Sequence, residues 1–249
     1  MVNLVLVSHS HKLAKGIVEL ISPMTADKIT VAIAAGIDDP NNPIGTNPIA
    51  VLDAIQSVYT DDGILILVDI GSAILSAETA LELLKPEQAI NVKTCAAPIV
   101  EGAIAASVSA AAGMPLETVI QEAHGALVAK YQALEQKLPL MSVPEEKNFS
   151  AVPENNEVTK NNNTHNFTMT VGNPHGLHAR PAATIVTTLR SFNAEVSLCK
   201  EGIKVNAKSL SRILMLGISY GDKLTFTAIG NDAEKAIEAL KNLSGKSFL

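Results

Sequence analysis

Two histidines in this chain lie beside residues suited to binding a phosphoryl group. His178 is part of the run GNPHGLHARPAA at residues 172–183, and Arg180 and Pro181 follow it. Proline is tolerated in the first turn of a helix because the N–H that it lacks would have no partner there. The run therefore predicts that a helix begins just after His178.

A histidine at such a helix end is well placed to carry a phosphoryl group. The free N–H groups of the first turn and the positive pole of the helix dipole attract anions. The guanidinium of Arg180 adds a planar, permanently charged donor for phosphate oxygens. The imidazole is itself a nucleophile. A surface histidine near a helix cap is the alternative, and it accounts for a lone histidine better than for the intact run GLHARP.

The second histidine, His9, follows a continuous apolar run at residues 3–7, which predicts a buried strand. Other polar or small residues are expected at the same sheet edge, because the carboxyl ends of parallel strands meet there and ligands bind there. They are Asp69, Gly71 and Ser72, which follow the apolar run at residues 64–68, and Gly45 and Thr46, which precede the second predicted helix.

This set of residues favours a second nucleophilic histidine. A carboxylate such as Asp69 that accepts from one ring nitrogen fixes the tautomer and leaves the other nitrogen free to react. Glycine at position 71 would let backbone N–H groups approach a phosphate. The alternative is that Asp69 and Ser72 only cap the third helix and that His9 is incidental. His11 and His124 have no comparable neighbours and are expected to be surface residues.

Residues 1–136 alternate apolar strands with helical stretches, which predicts an α/β domain with a doubly wound parallel sheet. In the first helix, Leu13, Ile17, Leu20, Ile21 and Met24 are expected on one face. The predicted strands are residues 3–7, 28–34, 64–68 and 91–94, and the later helices are residues 49–58, 73–84, 99–112 and 116–134.

Residues 137–165 are polar and without periodicity, so we expect a flexible linker there. A flexible chain of about 27 residues has an end-to-end distance of roughly 30 Å, which predicts domains that meet and part without a fixed interface. Residues 166–249 form a second predicted domain with elements in the order βαββαβα. Its strands are expected at residues 167–171, 195–198, 203–205 and 223–228, with helices at residues 179–189, around 210–214 and at 233–243.

Composition excludes several classes of protein. The net charge is −6 and no basic block occurs, which argues against nucleic acid as a partner. The apolar run at residues 4–7 is too short for a signal peptide or a membrane span, so a cytoplasmic protein is expected. Cys95 and Cys199 have no metal-binding spacing, and we expect buried thiols and no metal site.

From about residue 167 onward the sequence resembles the histidine-containing phosphocarrier protein, HPr, of the phosphoenolpyruvate-dependent phosphotransferase system. That resemblance implies an α+β open-faced sandwich in which His178 is phosphorylated and Arg180 binds the phosphate. Ser209 matches a position that some family members phosphorylate, although helix capping alone explains a serine there. His175 replaces the usual Asn or Ser and its role stays open, while Ser211 replaces an exposed apolar residue of the partner-docking face.

The runs NLVLVSHS at residues 3–10 and VDIGSA at residues 68–73 resemble the mannose-family enzyme IIA domain. The runs DPNNPIGT at residues 39–46 and APIVEGA at residues 97–103 are similar to one branch, the phosphoryl-donor subunits of phosphotransferase-dependent dihydroxyacetone kinases. The order of the two domains is also that of this branch. By resemblance His9 is phosphorylated and Asp69 orients it, and the phosphate site is lined by Gly45, Thr46, Gly71 and Ser72.

The resemblance implies a phosphoryl relay with phosphoenolpyruvate as the ultimate donor. Enzyme I, or free HPr, would supply the group, and it would pass through His178 and His9 to ADP and Mg²⁺ bound in a separate kinase subunit. No cofactor is expected on this chain itself. A homodimer through the first domain is expected, with the helix at residues 99–112 either at the dimer contact or buried in its own domain. The alternatives are a mannose-type transport component and a phosphorylation-dependent regulatory protein.

Overall fold

The computed structural model describes residues 1–134 and 164–244. The first sheet has the strand order β2-β1-β3-β4, and every neighbouring pair is parallel. All residues of β1 and β3 are buried, as their unbroken apolar sequences require. The predicted parallel sheet is therefore confirmed, with strands β1 Asn3–Ser8, β2 Val31–Ala35, β3 Ile64–Val68 and β4 Val92–Cys95.

Helices cover both faces of this sheet. Helices α1, α5 and α6 share one apolar cluster with the sheet, whereas α2 and α3 share the cluster on the opposite face. This is the doubly wound arrangement that the alternating sequence predicts. The helices are α1 His11–Thr25, α2 Pro48–Ser57, α3 Ser72–Leu83, α4 Pro86–Ala89, α5 Ile99–Ala111, α6 Leu116–Gly125 and α7 Val128–Ala133.

Four details of the first domain differ from the prediction. Strand β2 begins at Val31, so residues 28–30 of the predicted strand lie outside it. The single helix expected at residues 116–134 is two helices, α6 and α7, with a turn between them, and the short helix α4 was not predicted. Helix α1 buries Ala14, Ile17 and Ile21, while Leu13 and Leu20 are exposed. Small Ala14 faces the sheet because it allows close packing of the helix, so the buried stripe is rotated from the one that the largest side chains indicate.

The second sheet is antiparallel and has the order β5-β8-β6-β7. The predicted order βαββαβα is confirmed. Strand β5 begins at Thr164, so the last two residues of the predicted linker belong to it, and the rest of that segment, residues 137–163, lies outside the described residues. The elements are β5 Thr164–Thr170, α8 Ala179–Leu189, β6 Ala194–Lys200, β7 Ile203–Asn206, α9 Leu210–Met215, β8 Lys223–Gly230 and α10 Ala233–Ser244.

Helix α5 is buried within the chain itself. Its small residues pack against α1, α6 and the sheet, and the side chains of Ala103, Ala106 and Ala110 are fully enclosed. Of the two places predicted for this helix, the structure shows burial in its own chain. A homodimer through the first domain would therefore need another surface.

The two domains are packed together in the structure. Helices α8 and α9 of the second domain contact α1, α5, α6 and α7 of the first. Val108 and Ala112 of the α5 region belong to the apolar core of the second domain. The sequence predicts domains without a fixed interface, and the structure differs because apolar residues of α5 point away from their own sheet. Within residues 1–134 and 164–244, no helix has the length and apolar character needed to cross a membrane.

Candidate phosphoryl-transfer sites

His9 lies directly after β1, at the carboxyl edge of the parallel sheet, and Asp69 lies directly after the neighbouring β3. The Nδ1 atom of His9 is 2.9 Å from Oδ1 of Asp69. A carboxylate only accepts hydrogen bonds, so Nδ1 carries the proton and Nε2 is the free nucleophilic nitrogen. The expected pairing of His9 with Asp69 is present in the structure.

The carboxylate of Asp69 is itself held by three further donors. The backbone N–H of His9 and the hydroxyl of Ser8 donate to Oδ2 at 2.8 and 2.9 Å, and the N–H of Ile70 donates to Oδ1 at 2.7 Å. Burial raises the pKa of Asp69, but these hydrogen bonds together outweigh it and the pKa lies below the ordinary 3.8. Asp69 is therefore ionised at neutral pH and fixed in orientation.

A chain of hydroxyl groups reaches the other ring nitrogen of His9. The hydroxyl of Ser72 is 2.8 Å from Nε2, that of Thr46 donates to Ser72 at 3.1 Å, and that of Ser76 donates to Thr46 at 2.9 Å. In the neutral tautomer with its proton on Nδ1, Nε2 accepts a hydrogen bond from Ser72. The same hydroxyl could turn to donate to an oxygen of a phosphoryl group on Nε2.

The start of α3 offers backbone donors beside this nitrogen. Gly71 precedes the helix with φ of 51°, a conformation that favours glycine, and no side chain caps the helix. Among the described residues, the N–H groups of Gly71 and Ser72 have no acceptor, whereas those of Ala73 and Ile74 donate to Ile70 and Gly71. The alternative in which Asp69 and Ser72 cap α3 is therefore wrong for the structure. On the opposite side, the N–H of Gly45 donates to the carbonyl of His9 and brings the Thr46 loop against the site.

Exposed apolar side chains lie on the loops and helix starts that carry the residues of the His9 site. Ile70 is 73% exposed and Leu75 is 64% exposed, beside the loop and first turns of α3. Large apolar residues at the surface indicate a protein contact when they are grouped. We call this group the His9 rim; its members are Ile44, Ile49, Ile70, Ile74 and Leu75.

The second site is the start of α8. His178 is the residue before the helix, and its carbonyl accepts the first helical hydrogen bond from Ala182 at 3.1 Å. Pro181 lies in the first turn, as predicted. His178 and Arg180 are both exposed, and their side chains make no hydrogen bond or ion pair within the described ranges. Arg180 is therefore open to bind an anion beside the imidazole.

Gly176 fixes the loop that carries His178. Its φ is 68°, and a Cβ atom there would lie 2.2 Å from the carbonyl oxygen of Ile218. The N–H of the next residue, Leu177, donates to that same carbonyl at 3.0 Å. The tight approach holds the start of α8 against the loop after α9, which places His178 at the surface.

Two further residues of this domain have structural partners. The hydroxyl of Ser209 accepts from the N–H of Arg212 and caps α9, as the capping interpretation predicts. His175 is exposed, and its backbone N–H donates to Asn173. No group of side chains suited to a metal ion occurs in the part of the chain that the structure describes.

Sequence reasoning missed part of the first site. Ser76 belongs to its hydrogen-bond network, and the His9 rim lies on the segments that carry it. Ser8 is expected at this strand end beside His9, and only its donation to Asp69 is new in the structure. Ser76 carries a weaker signal, its spacing of four residues from Ser72, which places both on one face of α3.

Two family models match separate parts of the chain. Residues 3–120 match the model described as PTS system fructose IIA component, and residues 165–245 match the model described as PTS HPr component phosphorylation site. Together with the two histidine sites, these matches define the class of protein as a two-domain phosphoryl carrier of the phosphotransferase system.

Curated relatives narrow the class. The chain is 44% identical over its whole length to the "PEP-dependent dihydroxyacetone kinase, phosphoryl donor subunit DhaM" of Pantoea ananatis, and 45% identical to that of Escherichia coli strain K12, covering 50% and 51% of those proteins. It thus spans about half the length of both. A related donor subunit from Listeria innocua is 41% identical over 122 residues, which are 49% of this chain and 96% of that protein. The chain belongs to the family of phosphoryl-donor subunits of PEP-dependent dihydroxyacetone kinases.

Proposed function

We propose that this chain relays a phosphoryl group from enzyme I, through His178 and then His9, to ADP held with Mg²⁺ in a dihydroxyacetone kinase subunit. The observation that carries the proposal is the fixed imidazole of His9, whose Nδ1 faces Asp69 while Nε2 faces Ser72. The family to which the chain belongs supports the choice of acceptor. Phosphoenolpyruvate is the ultimate donor.

In the transfer between the histidines, one N–P bond breaks as another forms. The N–P bond on His178 breaks as a bond forms between phosphorus and Nε2 of His9, and the imidazole of His178 is left free. Ser72 must first turn its hydroxyl away from Nε2, so that the nitrogen lone pair can attack. The unpaired N–H groups of Gly71 and Ser72 then lie beside the incoming oxygens.

Delivery to the nucleotide uses the same nitrogen in reverse. Nε2 of His9 becomes the leaving group, and Asp69 holds the proton on Nδ1 throughout. The His9 rim would contact the kinase subunit and exclude water from the transfer, because hydrolysis competes with it. Mg²⁺ would accompany the nucleotide in the partner.

The proposed relay is tested by reconstitution with enzyme I, phosphoenolpyruvate and kinase subunits. The product measured is dihydroxyacetone phosphate. His9→Ala should stop product formation, and His178→Ala should slow it unless free HPr is added. His11→Ala and His124→Ala serve as matched controls because both residues are exposed and lie outside the two sites. Product formation by His9→Ala would refute the proposal.

The same experiment distinguishes the alternative functions. Transfer of phosphate to a sugar-transport subunit would favour the transport alternative, and a chain that passes phosphate to no acceptor would favour a regulatory role.

A homodimer through the first domain is part of the proposal. Helix α5 is buried in its own chain, so we expect the contact at another surface of residues 1–134. Light scattering at micromolar concentration tests the association, and a monomer at all concentrations would refute it.

A further inference from the structure

We propose that the phosphocarrier domain has a resting dock on helices α5–α7 of the first domain, and that it must leave this dock before His178 can deliver phosphate to His9. The inference rests on the proposed relay. It concerns a contact inside the chain that is separate from both histidine sites.

Charge and helix polarity match across the dock. The guanidinium of Arg190 donates to the carbonyl of Ala111, at the C-terminal end of α5, at 2.9 Å. The carboxylate of Glu122 accepts from the backbone N–H and the hydroxyl of Ser211, at 3.1 and 2.7 Å. A cation thus contacts the negative end of one helix, and an anion accepts from an N–H group and a hydroxyl at the start of another.

Apolar contacts join the same surfaces. Val108 and Ala112 are fully buried in the core cluster of the second domain, and Met24, Ile104 and Met114 pack against that cluster. Arg190 also occupies the space beside Gly113, where even a Cβ atom would collide with its guanidinium. The dock is therefore a packed interface with hydrogen bonds at two separated points.

This dock is not the transfer position. All members of the His9 rim are exposed although the phosphocarrier domain is docked, and Leu13 and Leu20 of α1 are exposed as well. The hydrogen-bond partners of the His9 ring are Asp69 and Ser72, both in the first domain. In-line transfer requires the two imidazoles to face each other across one phosphorus atom with the site closed to water. The carrier domain must therefore move from α5–α7 to the His9 rim.

Two residues that face each other across the dock are close enough for an engineered disulfide. A Cβ atom built at Gly125 would lie 3.8 Å from Cβ of Ser211, which matches the mean separation of about 3.8 Å in disulfides. We would therefore prepare the full chain with Gly125→Cys and Ser211→Cys in a Cys199→Ser background. The control pair is Gly125→Cys with Lys204→Cys, because Lys204 is exposed on β7, an edge strand of the second sheet.

Cross-linking tests the dock independently of any phosphate transfer. Mild oxidation at submicromolar concentration should link the Gly125→Cys/Ser211→Cys pair within one chain, and far faster than the control pair. Equal rates for the two pairs would overturn the dock.

Phosphate transfer tests whether the carrier domain must leave the dock before it phosphorylates His9. Oxidised and reduced chains are incubated with enzyme I and radioactive phosphoenolpyruvate, and the label on His9 and on His178 is measured. The ratio of label on His9 to label on His178 is compared between the two chains, because this ratio corrects for any slower loading of His178. Locking should lower this ratio by at least about a hundredfold, since it removes the benefit of tethering, and a reductant should restore it. An unchanged ratio in the locked chain would overturn the inference, and so would a locked chain that takes no label on the exposed His178. If the reduced chain also takes no label on His9, the proposed relay is refuted. The cross-linking rates still test the dock in that case, because they do not depend on phosphate transfer.

Discussion

His9 is held between two kinds of partner that act on different ring nitrogens. Asp69 accepts from Nδ1 and also from two backbone N–H groups, so its carboxylate cannot easily rotate. Ser72 ends a chain of hydroxyls and contacts Nε2, and in the proposed relay it gives way to the phosphoryl group. These contacts favour one tautomer of His9. The reactivity of the ring is therefore expected to depend on Asp69 and Ser72, which do not themselves bond to phosphorus.

Replacing Asp69 by Asn should act through this tautomer. The amide NH₂ must face either Nδ1 or the N–H of His9, and both arrangements lose a hydrogen bond. If it faces Nδ1, the ring proton moves to Nε2 and blocks attack. We expect phosphorylation of His9 to slow by roughly two to four powers of ten, as for other histidines that lose a tautomer-fixing carboxylate.

Ring-nitrogen NMR shifts of His9 measure the tautomer directly, which a purely structural role for Asp69 would leave unchanged. Asp53→Asn removes the same charge from an exposed position on α2 and is the matched control. An Asp69→Asn chain with the native tautomer and the native rate would contradict the assigned role.

The lowered pKa of Asp69 predicts a pH dependence of stability. A carboxyl whose pKa is lower in the folded state than in the unfolded state stabilises the fold above its unfolded pKa, and this contribution is lost as pH falls through the folded pKa. Asp69→Asn should therefore lower the free energy of unfolding of the first domain by about 1–3 kcal/mol at neutral pH. The difference should shrink as pH falls below the ordinary value of 3.8.

Urea unfolding followed through NMR signals of β1 and β3 measures this difference. Asp53→Asn should show no comparable pH dependence. A gap between wild type and Asp69→Asn that is the same in acid as at neutral pH would contradict the linkage.

At the scale of elements, each histidine is positioned by the end of one element and a neighbouring loop. The end of β1 and the start of α3 form the first site, and Gly176 and the loop after α9 fix the second. Two unrelated sheets thus present an imidazole beside unpaired N–H groups at a helix start. The shared chemistry lies in these helix ends, and the sheets supply their rigidity.

Gly176→Ala tests the loop that carries His178. The added Cβ would collide with the backbone of Ile218, so the loop must move. Gly217→Ala is the matched control, because its φ of 52° is also in the left-handed region but nothing lies near its Cβ position. The control should cost about 1–2 kcal/mol of carrier-domain stability, and Gly176→Ala clearly more.

Hydrogen exchange of β6 and β8 measures that stability, and the rate at which enzyme I labels His178 reports the position of the loop. Gly176→Ala should lower both. Equal effects of the two substitutions would show that the close approach to Ile218 does not matter.

Most of these elements could be predicted from sequence because their signals are local. Continuous apolar runs identified the buried strands, and Pro181 and Ala179–Leu189 identified α8 with its correct ends. The break between α6 and α7 has no proline to mark it, and its one local signal is Gly125, the last residue of α6. The dock could not be predicted, because it depends on Glu122 and Ser211, which are 89 residues apart and carry no pattern.

At the scale of the whole molecule, one site lies at the edge of the parallel sheet and the other lies at the start of α8, beside the antiparallel sheet. Fusion of carrier and acceptor raises their local concentration, which favours transfer within one chain over transfer from dilute free carrier. The dock adds a position for the carrier domain that leaves the His9 rim open to a partner. In the proposed relay, the same rim would receive the carrier domain and the kinase subunit in turn.

The central claim is the order of transfer, and a single-turnover experiment tests it most directly. The chain is mixed with a trace of enzyme I and limiting radioactive phosphoenolpyruvate, quenched in alkali at successive times, and its labelled peptides are identified. Label should appear first on His178 and then on His9, and it should leave His9 when the ADP-loaded kinase subunit is added. Label that reaches His9 equally fast in His178→Ala without free HPr, or that passes to the nucleotide in His9→Ala, would contradict the relay.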